Sequence, residues 1–252
     1  MTDITAQNQC PVCGGPGGLL DVLDFNKVCG EPGVHFQGLS GTPVYYALCE
    51  RCGFCFAPSI AQWDADKFGA LIYNQDYVQI DPECVDVRPR GFAQSLDQMF
   101  GQRRGTFTHL DYGGGNGTLS RLLREAGWRS TSYDPFHDAG VRLEELGTFD
   151  FVTAFEVFEH VPDPHALLKT IRTLLAPDGV VYFSTQLSDG HIQAGQRLNW
   201  WYAAPRNGHI SLFSKASLQH LASAYGFNLA SNWVCYHALF TGKPDWATPL
   251  IP

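Results

Sequence analysis

Residues 109–123 read HLDYGGGNGTLSRLL: an apolar run closed by an acid, a turn with four glycines, then a leucine-spaced segment. Strand, glycine turn and helix in this order open a layered α/β sheet, and the turn falls at the strand's carboxyl end, where such sheets bind ligands. The dinucleotide fingerprint G-x-G-x-x-G would need a glycine at 118 or 120, and those positions are Thr118 and Ser120. The phosphate loop G-x-x-x-x-G-K-[ST] fails too, because the turn has no lysine. What remains is Asp111 followed by Gly113, Gly115 and Gly117. Alternating glycines let the backbone press against a ligand, and the helix N-terminus after them favours an anionic group such as a carboxylate. The acid at the strand end suits an ammonium. A ligand with both groups is amino-acid-like, and Asp134 in TSYDPF closes the next strand, where a carboxylate can accept from both ribose hydroxyls. The expected cofactor is therefore S-adenosylmethionine rather than a pyrophosphate.

The rest of the chain from residue 106 alternates in the same sense: TFTHLDY, a helix over 118–126, STSYD, DFVTAFE, a helix over 164–175, GVVYFSTQ, a helix over 214–225, and closing apolar runs FNLASNWV and YHALF. This predicts an α/β fold with a Rossmann-like, mainly parallel sheet flanked by helices across 106–252. Residues 58–105 read as a helical connector or lid, with DADKFGALIY and RGFAQSLDQMF as loose helices and a turn at Asp81–Pro82.

Residues 1–57 are of another kind, rich in Gly, Pro and Cys, with short apolar runs GLLDVLDF and VYYALC. Of the eight cysteines, Cys10 and Cys13 form one Cys-x-x-Cys knuckle and Cys49 and Cys52 another. In each, the two-residue spacer lets both thiolates face one ion, so the pattern predicts a small β module closed on a structural four-cysteine metal site, zinc or iron. A disulfide pair and a redox Cys-x-x-Cys are the other readings, disfavoured in a cytosolic chain and by the two copies respectively. Cys29 and Cys55 are possible substitute ligands, and Cys84 and Cys235 are assigned to apolar packing.

Composition bounds the partners. A net charge of -8, with only Lys27 and Arg51 basic in residues 1–57, argues against nucleic acid. The chain has no apolar stretch long enough for a membrane span, and MTDITAQNQC lacks the features of a secretion signal, so a cytoplasmic location is expected.

LDYGGGNG, YDP, FDFVTAFEVFEHVPDPHALLKTIRTLLAPDGVVYFSTQ and GHISLFSKASLQHLASAYGF together resemble the class I S-adenosylmethionine-dependent methyltransferases over most of residues 106–230. The resemblance implies that Phe155, Glu156 and the rest of EVFEHVPDP rim the cofactor pocket and face the substrate. With the two knuckles it extends to the bacterial sugar methyltransferases, including the C-methyltransferases of deoxysugar pathways, and implies a sugar, sugar nucleotide, glycan or related metabolite as acceptor. In those enzymes a HEHLSYFS-like segment carries a proposed catalytic histidine. NGHISLFS here puts His209 in its place, but with Gly208 where the family has an acid and Arg206 where it often has a tyrosine.

Transfer from a sulfonium is an in-line displacement, and an alcohol or amine acceptor must also lose a proton. His209 and His160 are the candidate bases, with Glu159 as an orienting or accepting carboxylate. Trp200, Trp201 and Tyr202 form an aromatic loop that fits either a substrate wall for a sugar or other ring face, with Arg206 to read a phosphate or carboxylate, or a buried aromatic clasp under the C-terminal domain. The span PFHDAGVRLEELGT is too short for the usual helix and third strand. Either Phe136 stacks on the adenine, or the pocket is partly open on that side.

Overall fold

The computed structural model describes residues 8–30, 37–138 and 140–251. Most of MTDITAQNQC, on which the reading of the N-terminus rests, lies outside them. In chain order come β1 (Asn8–Gln9), β2 (Pro16–Asp24), β3 (Pro43–Cys49) and β4 (Cys55–Phe56), then α1 (Ala65–Leu71), α2 (Tyr77–Ile80) and α3 (Val87–Phe100). They are followed by β5 (Thr108–Tyr112), α4 (Thr118–Glu125), β6 (Arg129–Tyr133), β7 (Phe149–Phe155), α5 (Pro164–Leu174) and β8 (Leu175–Ser184). The chain closes with β9 (Ser211–Leu212), α6 (Lys215–Ala224), β10 (Asn228–Ser231) and β11 (Tyr236–Phe240).

The larger sheet has the order β10-β11-β8-β7-β5-β6. The pairs β5–β6, β5–β7 and β7–β8 are parallel, while β11 runs antiparallel to both β8 and β10. Its central strands are apolar on both faces, as a sheet covered by helices on two sides requires: Phe151, Val152 and Ala154 of β7 and Val180, Val181 and Phe183 of β8 are all fully buried. His109 of β5 is buried as well, held by Ser130 Oγ at 2.8 Å and Thr153 Oγ1 at 3.0 Å. Between β6 and β7 the described residues form one 3-10 turn, Leu143–Glu145, and no strand, so β6 is the edge of the sheet.

Local chemistry sets where the helices start. Asp163 caps α5 by accepting from the Ala166 amide at 3.0 Å, Pro164 pre-sets the first turn, and Leu167, Leu168, Ile171 and Leu174 fall on the buried face. Ser214 and Ser217 form a reciprocal capping box at α6. The segment NQDYVQIDPEC turns at Asp81–Pro82 as expected and is more regular around it. It holds the short helix α2 and a 3-10 turn at Pro82–Cys84, because Ile80 has a buried position to fill.

The smaller sheet has the order β1-β2-β3-β4-β9. Its last strand comes from residues 211–212, and the Ala57 amide also donates to the Ile210 carbonyl at 3.0 Å. The sheet therefore needs a segment that lies far beyond residue 57. Phe54 packs against Phe213 at 4.9 Å, and one apolar cluster runs from Cys10, Val12 and Phe54 through Phe158 and Phe213 to Leu110 and Val152. Fully burying each such phenylalanine is worth about 1.5–3 kcal/mol, so the knuckles and the large sheet stabilise each other.

Candidate active site

The glycine turn leaves β5 toward α4. Gly113 has φ 74°, and a Cβ on it would lie 2.5 Å from Val157 Cγ2. A Cβ on Gly114 would collide with Ser132 Oγ and lie 2.5 Å from Asp111 Oδ2. Gly114 is absent from the alternating pattern, and only the unbroken run of glycines hints at it. The Gly113 amide donates to the Tyr133 carbonyl at 2.7 Å, which ties the turn to the end of β6. Gly115 and Gly117 are also in the left-handed region, and Gly117 caps α4.

The two strand-end acids converge on this turn. Asp111 is buried and accepts from Thr153 Oγ1 at 3.2 Å, and burial pushes its carboxyl up to about 7. Asp134 Oδ2 accepts from the Gly115 amide at 3.0 Å, and its Oδ1 accepts from the Phe136 amide at 2.8 Å. Phe136 is half exposed, with its ring 4.9 Å from that of Tyr73. Tyr73 in turn lies edge-on to His160 at 6.1 Å, so the 58–105 segment supplies a ring between the two ends of the site.

At the end of β7 the predicted pair divides. Phe155 faces α3 and stacks on Phe92 at 4.3 Å, edge-on to Tyr182 at 5.4 Å. Glu156 turns the chain with φ 54°, a left-handed conformation that costs a non-glycine residue about 1–3 kcal/mol. Its amide donates to Ser184 Oγ at 2.9 Å, and Arg88 Nε lies 2.9 Å from its carboxylate, with a second Arg88 nitrogen 2.5 Å from Asp81 Oδ2. Arg88 and Tyr73 were not predicted. Each meets its partners only through the fold, and the sequence around them carries no motif.

Glu159, His160 and His209 come together, each offering a ligating atom within 4.8 Å of the others. Glu159 is fully buried. The Tyr202 hydroxyl donates to its Oε1, its Oε2 has no hydrogen-bond partner, and burial pushes the carboxyl up to about 8. His160 Nδ1 is also buried and unpartnered, and desolvation brings this imidazole down to about 4. The His209 ring lies 4.8 Å from that of His160; its Nδ1 donates to the Tyr202 carbonyl at 2.8 Å, and desolvation holds it well below the usual histidine range. Both imidazoles are therefore neutral at pH 7.

The aromatic loop is mostly spent in packing. Trp200 is buried face to face with His191 at 5.0 Å, and Tyr202 is buried on His209 at 4.2 Å, which leaves Trp201 as the exposed ring. Arg206 is buried and donates to the Ile72 carbonyl at 3.1 Å. Lys27 Nζ reaches over from the N-terminal segment to donate to the carbonyls of Trp200, at 2.9 Å, and Ala203.

Cys10, Cys13, Cys49 and Cys52 also meet, with their sulfurs within 4.8 Å of one another. Cys10 Sγ lies 3.7 Å from Cys52 Sγ, and Cys13 Sγ lies 3.4 Å from Cys49 Sγ, too far for disulfides. Thiolates about 2.3 Å from a tetrahedral ion are about 3.8 Å apart, so this donor set fits such an ion. Contact between the two sulfurs lowers the Cys10 thiol and raises that of Cys52. Cys55 is buried away from this group, and Cys29 Sγ lies 3.5 Å from His209 Nδ1.

A glycine turn between two strand-end acids on a Rossmann-like sheet defines the class, a binder of an amino-acid-bearing nucleoside. The family model described as "Methyltransferase domain" matches residues 86–232, and the chain belongs to that family. Similar proteins include the ubiquinone biosynthesis O-methyltransferase of Actinobacillus pleuropneumoniae serotype 7 (strain AP76), 32% identical over 119 residues, covering 36% of this chain and 49% of that protein. That of Bordetella avium (strain 197N) is 33% identical over 155 residues, covering 50% and 62%. The chain spans about half the length of the curated relatives it matches. Among solved structures, the Burkholderia thailandensis 1,6-didemethyltoxoflavin-N1-methyltransferase with bound 1,6-didemethyltoxoflavin and S-adenosylhomocysteine has a TM-score of 0.47 at 21% identity, covering 74% of this chain and 93% of that one. Among the described residues, no helix is long and apolar enough to cross a membrane.

Proposed function

We propose that the chain transfers the methyl group of S-adenosylmethionine to a hydroxyl oxygen of a small polar acceptor, a sugar or sugar nucleotide being the first class to try. The observation that carries this reading is the meeting of Glu159, His160 and His209, two of them from the turn after β7 and one from the turn before β9. The names of the similar proteins favour an oxygen acceptor. The two knuckles and the NGHISLFS segment favour the sugar class.

In the transfer, the acceptor oxygen bonds to the methyl carbon as the carbon–sulfur bond breaks, leaving S-adenosylhomocysteine, and the hydroxyl proton must leave. Burial keeps His209 neutral, and its Nδ1–H bond to the Tyr202 carbonyl leaves Nε2 free to take that proton. Gly114 and Asp134 shape the donor side, where bulk or lost hydrogen bonds would displace the nucleoside. The four knuckle cysteines would hold zinc in a closed structural site, keeping β4 in register with β9 and so the turn that carries His209. RNA as the acceptor is disfavoured because Lys27, one of the two basic residues in 1–57, is spent on the aromatic loop.

The test is a mass-spectrometric screen of sugars, nucleotide sugars and phenols with methyl-deuterated donor. Label on an acceptor oxygen supports the proposal, and label on carbon or nitrogen alone refutes the oxygen assignment.

A further inference from the structure

The geometry points to a second metal site, separate from the four cysteines, in which Glu159, His160 and His209 ligate one divalent first-row transition ion. It rests on the reading of this cluster as the acceptor end of the methyltransferase site.

Three observations converge. The first is span: the three ligating atoms lie within 4.8 Å of one another, and ligands about 2.1 Å from a tetrahedral ion are about 3.4 Å apart. Closing on an ion takes side-chain shifts of less than about 1 Å.

The second is want of partners. Glu159 Oε2 and His160 Nδ1 are buried and make no hydrogen bond. A buried polar atom left unsatisfied costs about 1–3 kcal/mol, and native proteins keep few of them. A cation reached by both would account for them together.

The third is the outer support. Metal-bound imidazoles hand their other N–H to a carbonyl or carboxylate, and metal-bound carboxylates are hydrogen-bonded on the far oxygen. Both features are present and come from one residue: the Tyr202 carbonyl takes His209 Nδ1–H at 2.8 Å, and the Tyr202 hydroxyl donates to Glu159 Oε1. Two imidazoles and a carboxylate without thiolate suit zinc, iron, cobalt or manganese and leave open positions for an acceptor oxygen. An ion there would lower the hydroxyl pKa of the acceptor, relieving the imidazole of that task.

The experiment uses the full chain, stripped with dipicolinate and reloaded with cobalt(II), the metal counted by elemental analysis and its ligands read from the absorption spectrum. The expected result is two cobalt ions per chain, only one of them with a thiolate-to-cobalt charge-transfer band. His209→Ala and Glu159→Gln should each retain one cobalt and the full band. Glu159→Gln keeps the side-chain shape and decides the matter if His209→Ala does not fold. Tyr202→Phe should weaken the second cobalt about 10- to 100-fold. A wild-type chain with a single, thiolate-ligated cobalt overturns the site, as does Glu159→Gln with two. Calorimetry with S-adenosylhomocysteine on the same samples separates the readings: one cobalt with intact binding removes the ion and leaves methyl transfer with a histidine base, whereas no binding by the wild type strikes at methyl transfer itself.

Discussion

Tyr202 holds Glu159 through its hydroxyl while its backbone carbonyl accepts from His209 Nδ1 at 2.8 Å, so one buried residue orients both sides of the acceptor cluster. Tyr202→Phe removes the donor to a fully buried carboxyl and keeps the ring. It should destabilise the protein by about 1–3 kcal/mol, read from urea unfolding. It should also lower turnover while S-adenosylhomocysteine affinity stays within about threefold. A variant as stable and as active as the wild type would show that the bond orients nothing.

Gly114 tests the donor side. A methyl group there collides with both Ser132 Oγ and Asp111 Oδ2, so Gly114→Ala should weaken S-adenosylhomocysteine binding at least about tenfold by calorimetry. Gly69 in α1 has open space around its Cβ position, and Gly69→Ala should leave binding unchanged and raise stability by about 0.5–1 kcal/mol. Equal affinities in the two variants would count against the placement of the nucleoside.

The pH dependence of donor binding follows from Asp111, whose carboxyl burial pushes up to about 7. An ammonium beside it stabilises the ionised form, so binding releases a proton when the free protein still carries one. Affinity should therefore rise as pH goes from 5 to 7 and level off once the free carboxyl is ionised. Calorimetry in buffers of different ionisation enthalpy should detect the released proton at pH 6. Asp111→Asn should flatten the profile, and a wild-type profile already flat would mean that the ligand does not approach this carboxylate.

The knuckle site makes a stability prediction. Chelation of the metal, or a Cys10→Ser/Cys49→Ser variant, should lower the unfolding midpoint and weaken activity with it, because β4 pairs with β9 next to His209. Elemental analysis should find a metal that the variant loses. Intact protein without metal at these cysteines, equally stable after chelation, would contradict the structural role.

The legible parts of the molecule are those written in short stretches. The strand–glycine–helix unit, the acids at 111 and 134 and the Cys-x-x-Cys pairs each need only neighbours in sequence to be read. The meeting of His160 with His209 was carried by a resemblance, since no local pattern brings those turns together. Arg88 on Glu156 and Tyr73 between Phe136 and His160 left no trace at all, because each depends on how the 58–105 segment folds over the sheet. The aromatic run 200–202 could be read from the sequence either as a ligand face or as a buried clasp, and local pattern does not decide between them. Its rings suit a ligand face, yet Trp200 and Tyr202 are consumed by His191, His209 and Glu159. The return of residues 211–212 to complete the small sheet is equally invisible, for a two-residue strand has no period to detect.

The central claim is that the methyl group leaves its donor beside His209. The most direct measurement compares single-turnover transfer by the wild type and His209→Ala, using an acceptor from the deuterium screen, with donor affinity measured on the same samples. The account predicts a fall in the transfer rate of about 100-fold or more with S-adenosylhomocysteine affinity within about threefold. Unchanged transfer by a folded His209→Ala would contradict it.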